Sequence, residues 1–108
     1  MGNHTINIPD AEFQKQVLES EQPVLVDFQT ATCAPCRAIA PLLEVLGQKY
    51  AGKLKIVKID CDDNQENAQT YGVRAFPTLL FFKKGKVVDQ LVGAAPMSKL
   101  EERILNAL

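Results

Sequence analysis

Two thiols stand three positions apart in Cys33-Ala34-Pro35-Cys36, close enough in the chain for their sulfurs to join in a disulfide and part again. Only a thiolate attacks a disulfide, and a free cysteine with a pKa of about 8.5 is a few per cent ionised at neutral pH. A site that uses such a pair must therefore stabilise the anion. The preceding Val24-Leu25-Val26-Asp27-Phe28 reads as a buried strand and Arg37 to Tyr50 as a helix, so the cysteines fall at the junction. A C-x-x-C beside a βαβ pattern reads as a redox motif rather than a structural crosslink. At a helix start, unpaired N–H groups and the positive end of the dipole favour a negative sulfur. Cys33, ahead of the first turn, is the nucleophile on this reading, and Cys36, one turn in and partly covered, is the resolving thiol. Pro35 suits a first helical turn and stiffens the loop so that the sulfurs stay within bonding reach.

Asp27 interrupts an apolar strand, where a carboxylate costs several kcal/mol of desolvation unless its pKa rises or a partner compensates. A carboxyl with a raised pKa beneath Cys36 can accept the proton of that thiol when a mixed disulfide resolves. Lys58, in the neighbouring predicted strand, is either its partner through the sheet or an ordinary solvent-facing lysine. A closed zinc site needs four ligands, and only His4 and Cys61 stand beside the pair, so no metal is expected. Cys61, with no cysteine near it in sequence, reads as a partly buried small side chain or a regulatory thiol.

The elements that must position these residues follow from periodicity. Thr5 to Ile8 reads as a short strand, and Asp10 as the cap of a first helix with Phe13, Val17 and Leu18 on one face. In the long helix after the cysteines, Ile39, Leu42, Leu43, Leu46 and Tyr50 recur at helical spacing, with Pro41 expected to kink it. Lys55 to Asp60 is a third strand, and Asn64 to Tyr71 a short polar helix ended by Gly72. Thr78 to Phe82 and Lys86 to Val92, joined by Lys83-Lys84-Gly85, form a hairpin. Ser98 and Glu101 make an S-x-x-E capping box for a last helix carrying Leu100, Ile104, Leu105 and Leu108. The order β-α-β-α-β-α-β-β-α gives an α/β fold: parallel crossovers, an antiparallel terminal hairpin, a mixed sheet and helices on both faces. The cysteine loop then sits at the carboxyl end of a strand, where open α/β sheets place their sites.

Composition narrows the function classes. The 108 residues, 46% apolar, are expected to form a single domain spanning 1–108 with its own core. The 12 basic and 13 acidic residues are interspersed, which leaves no electrostatic footprint for nucleic acid or anionic membrane. Lys83-Lys84-Gly85-Lys86, the densest basic run, reads as a solvated turn. Met1 to Asn7 carries neither an apolar core nor a basic flank of a secretory signal, and Ile6 stands where a myristoylation motif opening at Met1-Gly2 needs Ser or Thr. The expected address is the cytoplasm, where thiols are kept reduced.

Along nearly its whole length the chain resembles the thioredoxin family. The resemblance is carried by Val26-Asp27-Phe28, Cys33-Ala34-Pro35-Cys36-Arg37, Ile39-Ala40-Pro41, Lys58-Ile59-Asp60, Tyr71-Gly72-Val73-Arg74, Phe76-Pro77-Thr78-Leu79 and Val92-Gly93-Ala94. It implies the thioredoxin fold, three layers (α/β/α) around a central mixed five-stranded sheet. It further implies that Pro77 is a cis-proline opposite the disulfide and that the backbone of Phe76 pairs with an extended substrate segment. Gly93 is then either part of a flat docking surface, which a side chain would obstruct, or a plain turn after the last strand. Three departures adjoin the site: Thr32 stands where the family usually has tryptophan before the first cysteine, Gln29 where it has another, and Ala34 where it has glycine. Losing both indoles strips apolar area from the surface formed with Thr32, Ala34, Pro35, Phe76, Pro77 and Gly93. Ala34 reduces the freedom of the loop, and about 1.4 kcal/mol of differential stability corresponds to roughly 30 mV.

The expected function is a protein disulfide reductase acting on disulfide-containing proteins through Cys33 and Cys36, assisted by Asp27 and Lys58. No flavin or nicotinamide fingerprint is present, so no cofactor is expected and electrons come from a separate reductase, by resemblance a thioredoxin reductase. The protein is expected to act as a monomer. Two other readings stay open: an oxidant or isomerase, motivated by Ala34-Pro35, and a partner-binding module with secondary redox activity.

Overall fold

The computed structural model describes residues 4–108; the Met1-Gly2 pair weighed above as a lipidation signal lies outside them. Five strands, β1 (Ile6–Asn7), β2 (Val24–Gln29), β3 (Lys55–Asp60), β4 (Thr78–Lys83) and β5 (Lys86–Val92), pair in the order β1-β3-β2-β4-β5. β1 and β2 run parallel to β3, while β4 is antiparallel to both β2 and β5. A 3₁₀ turn, Asp10–Glu12, passes into a π-helical stretch, Gln14–Leu18, before β2; the α-helices are α1 (Ala34–Lys49), α2 (Glu66–Thr70) and α3 (Met97–Ala107). The sheet is mixed, as expected, but the third strand-helix-strand connection, through α2, is not the parallel crossover that the element order implied: α2 returns the chain so that β4 runs antiparallel to β2.

The central strands β2 and β4, and the apolar residues of β3, are buried on both faces, whereas β1 and all of β5 but Leu91 and Asp89 are exposed, and alternation along the strands sorts the buried side chains into two layers. Leu25, Ile56, Leu79, Phe81 and Leu91 pack with Ile39, Leu43 and Leu46 of α1 and with Leu100 and Ile104 of α3. Val24, Val26, Phe28, Val57, Ile59, Leu80 and Phe82 pack on the opposite side with Phe13, Val17 and Ala68. The Phe82 ring meets those of Phe13 and Tyr71 edge-on at 5.7 and 5.4 Å. Each such large side chain contributes roughly 2–3 kcal/mol by leaving water.

Several local expectations are corrected. β1 is two residues long rather than Thr5 to Ile8, and α2 is Glu66–Thr70 rather than Asn64 to Tyr71. α1 begins at Ala34, so the cysteine loop itself supplies its first turn, and it runs through Pro41 without ending. Lys83 pairs with Lys86, leaving a two-residue turn in which Lys84 (φ 54°) and Gly85 (φ 79°) both take positive φ, as a type I′ hairpin requires. A Cβ on Gly85 would also come within 2.9 Å of the Leu18 carbonyl oxygen.

Neither expected cap acts on its own helix. Pro9, not Asp10, precedes the first turn, and Asp10 reaches across to α2, where its carboxylate accepts from Glu66 N (2.9 Å), Asn67 N (3.3 Å) and Asn67 Nδ2 (2.7 Å). It satisfies the orphan donors of a helix 56 residues away in sequence. The last helix starts at Met97 behind Pro96, which places Ser98 inside its first turn with no side-chain cap. Glu101 instead bonds the Tyr50 hydroxyl and the Lys49 ammonium, tying α3 to the end of α1.

Because Asp10 is the cap of α2, Asp10→Ala is expected to lower unfolding stability by about 1–2 kcal/mol in urea titrations. A variant as stable as the parent would show that these bonds add nothing beyond solvent contacts.

Candidate active site

Strand direction gathers the site at one end of the sheet. β2 ends at Gln29 and β3 at Asp60, which face each other in register, while antiparallel β4 begins there at Thr78 opposite Phe28. β5 ends beside it with Val92 opposite Thr78. The loops that leave this edge carry Thr32 and Cys33 after β2, Cys61 and Asp62 after β3, Phe76 and Pro77 before β4, and Gly93 after β5. The site residues predicted from sequence outside the sheet and α1 are thus brought to one rim.

Cys33 is the N-cap of α1, with extended backbone (φ −84°, ψ 110°), and its sulfur accepts the Cys36 N–H at 3.1 Å. The Cys33 carbonyl accepts from Arg37 N at 3.1 Å, which opens the helical ladder. Pro35 lies in the first turn, where its missing N–H would have had no partner. Cys33 and Cys36 are joined as a disulfide with Cα atoms 5.2 Å apart. Their exposures differ in kind: Cys33 is half-buried, whereas Cys36 is 1% exposed. Of the pair, Cys33 is the residue open to solvent.

Beneath the helix lies Asp27, 0% exposed. Alternation along β2 turns it to the side of Leu25, the face covered by α1, and in the parallel register it stands opposite Lys58 of β3. Neither carboxyl oxygen has a hydrogen-bond partner among the described residues. Burial pushes its pKa up to about 7, with the Lys58 cation pulling the other way. Lys58, half-buried, stands opposite Asp27 in register but makes no hydrogen bond to it among the described residues, and its charge reaches the carboxyl only as the smaller, opposing influence on its pKa.

On the rim, Thr32, Ala34 and Pro35 are exposed, Phe76 is half-buried and Pro77 is buried. The Phe76–Pro77 peptide is cis. The turn before it is closed by Thr78 Oγ1 donating to the Ala75 carbonyl at 2.6 Å, and Gly93 N donates to the Pro77 carbonyl at 2.8 Å. Gly93 takes φ +89°, which alone favours glycine, and a Cβ there would meet nothing within 4 Å. Any obstruction would therefore fall on an incoming partner.

Cys61 is 5% exposed, with its thiol pushed up to about 11 by burial and the nearby Asp10 charge. It stays protonated at neutral pH and packs as a small core side chain. Among the described residues no group of three or more His, Cys, Asp or Glu side chains could hold a metal ion. Two contacts had no sequence signal: Asp62 Oδ2 accepts from Ala31 N at 3.0 Å, and Arg37 Nη1 donates to the Ala31 carbonyl at 3.0 Å. Asp62 lies 31 residues from Ala31, so only the β2–β3 register reveals the pairing.

The thioredoxin family model matches residues 4–106. Thioredoxin C-2 of Corynebacterium nephridii is 56% identical over 95 residues, 88% of each chain. A thioredoxin of Synechocystis is 48% identical over 96 residues (89% of this chain, 90% of the relative), and one of Pseudomonas aeruginosa 45% over 100 residues, 93% of each. A dithiol pair at a helix start, set in this sheet and matched over nearly the whole chain, leaves one conclusion: the protein belongs to the thioredoxin family and is a thiol-disulfide oxidoreductase that reduces protein disulfides.

Proposed function

We propose that Cys33 is the attacking thiol, Cys36 the resolving thiol and Asp27 the acceptor of the Cys36 proton. The observation that carries this is the asymmetry of the pair: a half-buried sulfur at an open helix N-terminus, and a buried one on the face above an ionisable carboxyl. The Cys33 thiolate attacks one sulfur of a substrate disulfide, whose S–S bond breaks and whose other sulfur leaves as thiolate. Asp27 then takes the proton of Cys36, and the Cys36 thiolate attacks Cys33 Sγ. The mixed disulfide breaks, the second substrate thiolate departs, and the Cys33–Cys36 bond closes. Two electrons pass from the dithiol to the substrate.

A pKa of about 7 leaves Asp27 part ionised at neutral pH, able both to accept and to return a proton. The Lys58 charge keeps that value from rising further. An extended substrate segment would dock along Thr32, Ala34, Pro35, Phe76, Pro77 and Gly93, its backbone pairing beside Phe76. The substrates are disulfide-containing proteins, and a separate reductase, by family a thioredoxin reductase, restores the dithiol. We place the protein in the cytoplasm as a monomer forming a single domain over residues 1–108, with no bound cofactor. Among the described residues no helix is long and apolar enough to cross a membrane.

Cys33→Ser is expected to reduce disulfide reduction to background and to form no adduct, whereas Cys36→Ser should accumulate a covalent mixed disulfide visible by mass spectrometry. The opposite pattern would exchange the two roles.

Asp27 also fixes a pH dependence with a definite sign. Its folded pKa is raised, so between about 4 and 7 the native state holds a proton that the unfolded chain has released, and stability falls as pH rises through that window. The loss is complete above pH 7 and amounts to roughly 4 kcal/mol at most. Asp27→Asn should therefore be more stable than the parent at pH 8 and similar at pH 4, while releasing substrate at least about tenfold more slowly near pH 7. Urea titrations at the two pH values and single-turnover reduction test both, and a parent with flat stability from pH 4 to 8 would refute the assignment.

A further inference from the structure

The four residues between β2 and α1, Thr30 to Cys33, carry the nucleophile and belong to neither element. Gln29, Thr30, Ala31 and Thr32 include no aromatic ring, so packing of a large side chain cannot hold this stretch. Polar contacts hold it instead. The peptide groups on both sides of Ala31 are fixed: its N–H donates to Asp62 Oδ2 and its carbonyl accepts from Arg37 Nη1, each at 3.0 Å. Arg37 grips the loop a second time, since its backbone N–H donates to the Cys33 carbonyl. Asp62 is itself held, its N–H donating to Asp60 Oδ1 at 2.9 Å where β3 ends.

We propose that Asp62, acting with Arg37 through the Ala31 peptide, is a positioning residue for Cys33. While the disulfide is closed, the covalent bond ties Cys33 to the helix. Once it opens, Cys33 is held from the helix side by the Arg37 N–H on its carbonyl and the Cys36 N–H on its sulfur, and the stretch that leads into it by a 3.4 Å bond from its own N–H to the Thr30 carbonyl and by the Ala31 clamp. The clamp keeps the reduced sulfur at the N-cap, where the Cys36 N–H and the helix start stabilise its thiolate. The charged residues on the elements that meet at this rim are Asp27 and Lys58 of the sheet, Arg37 of α1, Asp60 at the end of β3 and Asp62 in the loop after it. Asp62 is exposed, so its charge acts on Cys33 through screened solvent and weakly. Its hydrogen bond, not its charge, is the working contact.

This rests on Cys33 being the attacking thiol, and the experiment separates the two ideas. The reduced protein is alkylated with iodoacetamide over pH 5 to 10, the modified cysteine is identified by mass spectrometry, and stability in urea is measured in parallel. Asp62→Ala is expected to raise the apparent pKa of Cys33 and to slow alkylation at pH 7 about fivefold, the size of one net hydrogen bond, leaving the rate at pH 10 unchanged. Asp62→Asn, which keeps an acceptor without the charge, should recover the parent profile. Alkylation on Cys33 with the same titration in Asp62→Ala as in the parent, whatever its stability, overturns the clamp alone. Asn and Ala shifting Cys33 equally would assign the effect to charge and overturn it as well. Alkylation on Cys36 in the parent overturns the nucleophile assignment and the clamp together.

Discussion

The parallel register between β2 and β3 is the constraint on which the rest depends. It sets Asp27 opposite Lys58 and Gln29 opposite Asp60, which fixes the buried carboxyl and the position of the two loops that meet at the cysteines. A slip of one residue in either strand would turn its side chains to the other face. Asp27 would leave the layer beneath α1, and apolar Val26 and Phe28 would exchange places with it. The close packing of different side chains in the two layers opposes that slip, so the sheet's hydrophobic layers hold a polar group where the apolar effect alone would not put one. Burial dominates the balance at Asp27: its pKa reaches about 7 although a cation stands across from it.

From that register the asymmetry of the two thiols follows. α1 starts at the rim and descends over the Leu25 face, so a residue at its N-cap stays in reach of solvent while one three positions on is sealed against the sheet. Cys33 and Cys36 are identical side chains, and it is their different depth along the first turn that supports the proposed division between attack and resolution. The same geometry lets a single backbone donor, Cys36 N–H, serve the Cys33 sulfur. A helix continuing to Lys49, braced through Tyr50, Lys49 and Glu101 to α3, keeps that turn from rocking on the sheet.

What the sequence discloses depends on how far apart the interacting residues lie. β3 is legible to the residue because Lys55 to Asp60 pairs a β-branched apolar run with clear boundaries, and the dithiol is legible because its chemistry is local. Asp10 carries a strong local cap signal, yet its carboxylate belongs to α2, since the turn it opens places it beside Glu66 and Asn67. Ser98 and Glu101 match a capping box in letters, but Pro96 already supplies the extended entry residue and Glu101 meets α1. Pro77 is informative only through resemblance, because an isolated Phe-Pro does not announce a cis bond. The bond between Asp62 and Ala31 has no local trace at all: it exists because two strands end side by side.

Replacement of tryptophan by Gln29 and Thr32 reaches both jobs of the rim. An indole there would offer apolar area to a partner and would also weigh down the loop that carries the nucleophile. With neither indole present, the proposed polar clamp on Ala31 takes the second job, and the apolar area left at the rim includes exposed Ala34 and Pro35, half-buried Phe76, and Val92, half-exposed at the end of β5. A segment docking as proposed would gain less from desolvation on such a surface and more from backbone pairing beside Phe76. Backbone pairing reads an extended conformation rather than particular side chains, so the substitutions bear more on affinity than on which class of partner is accepted.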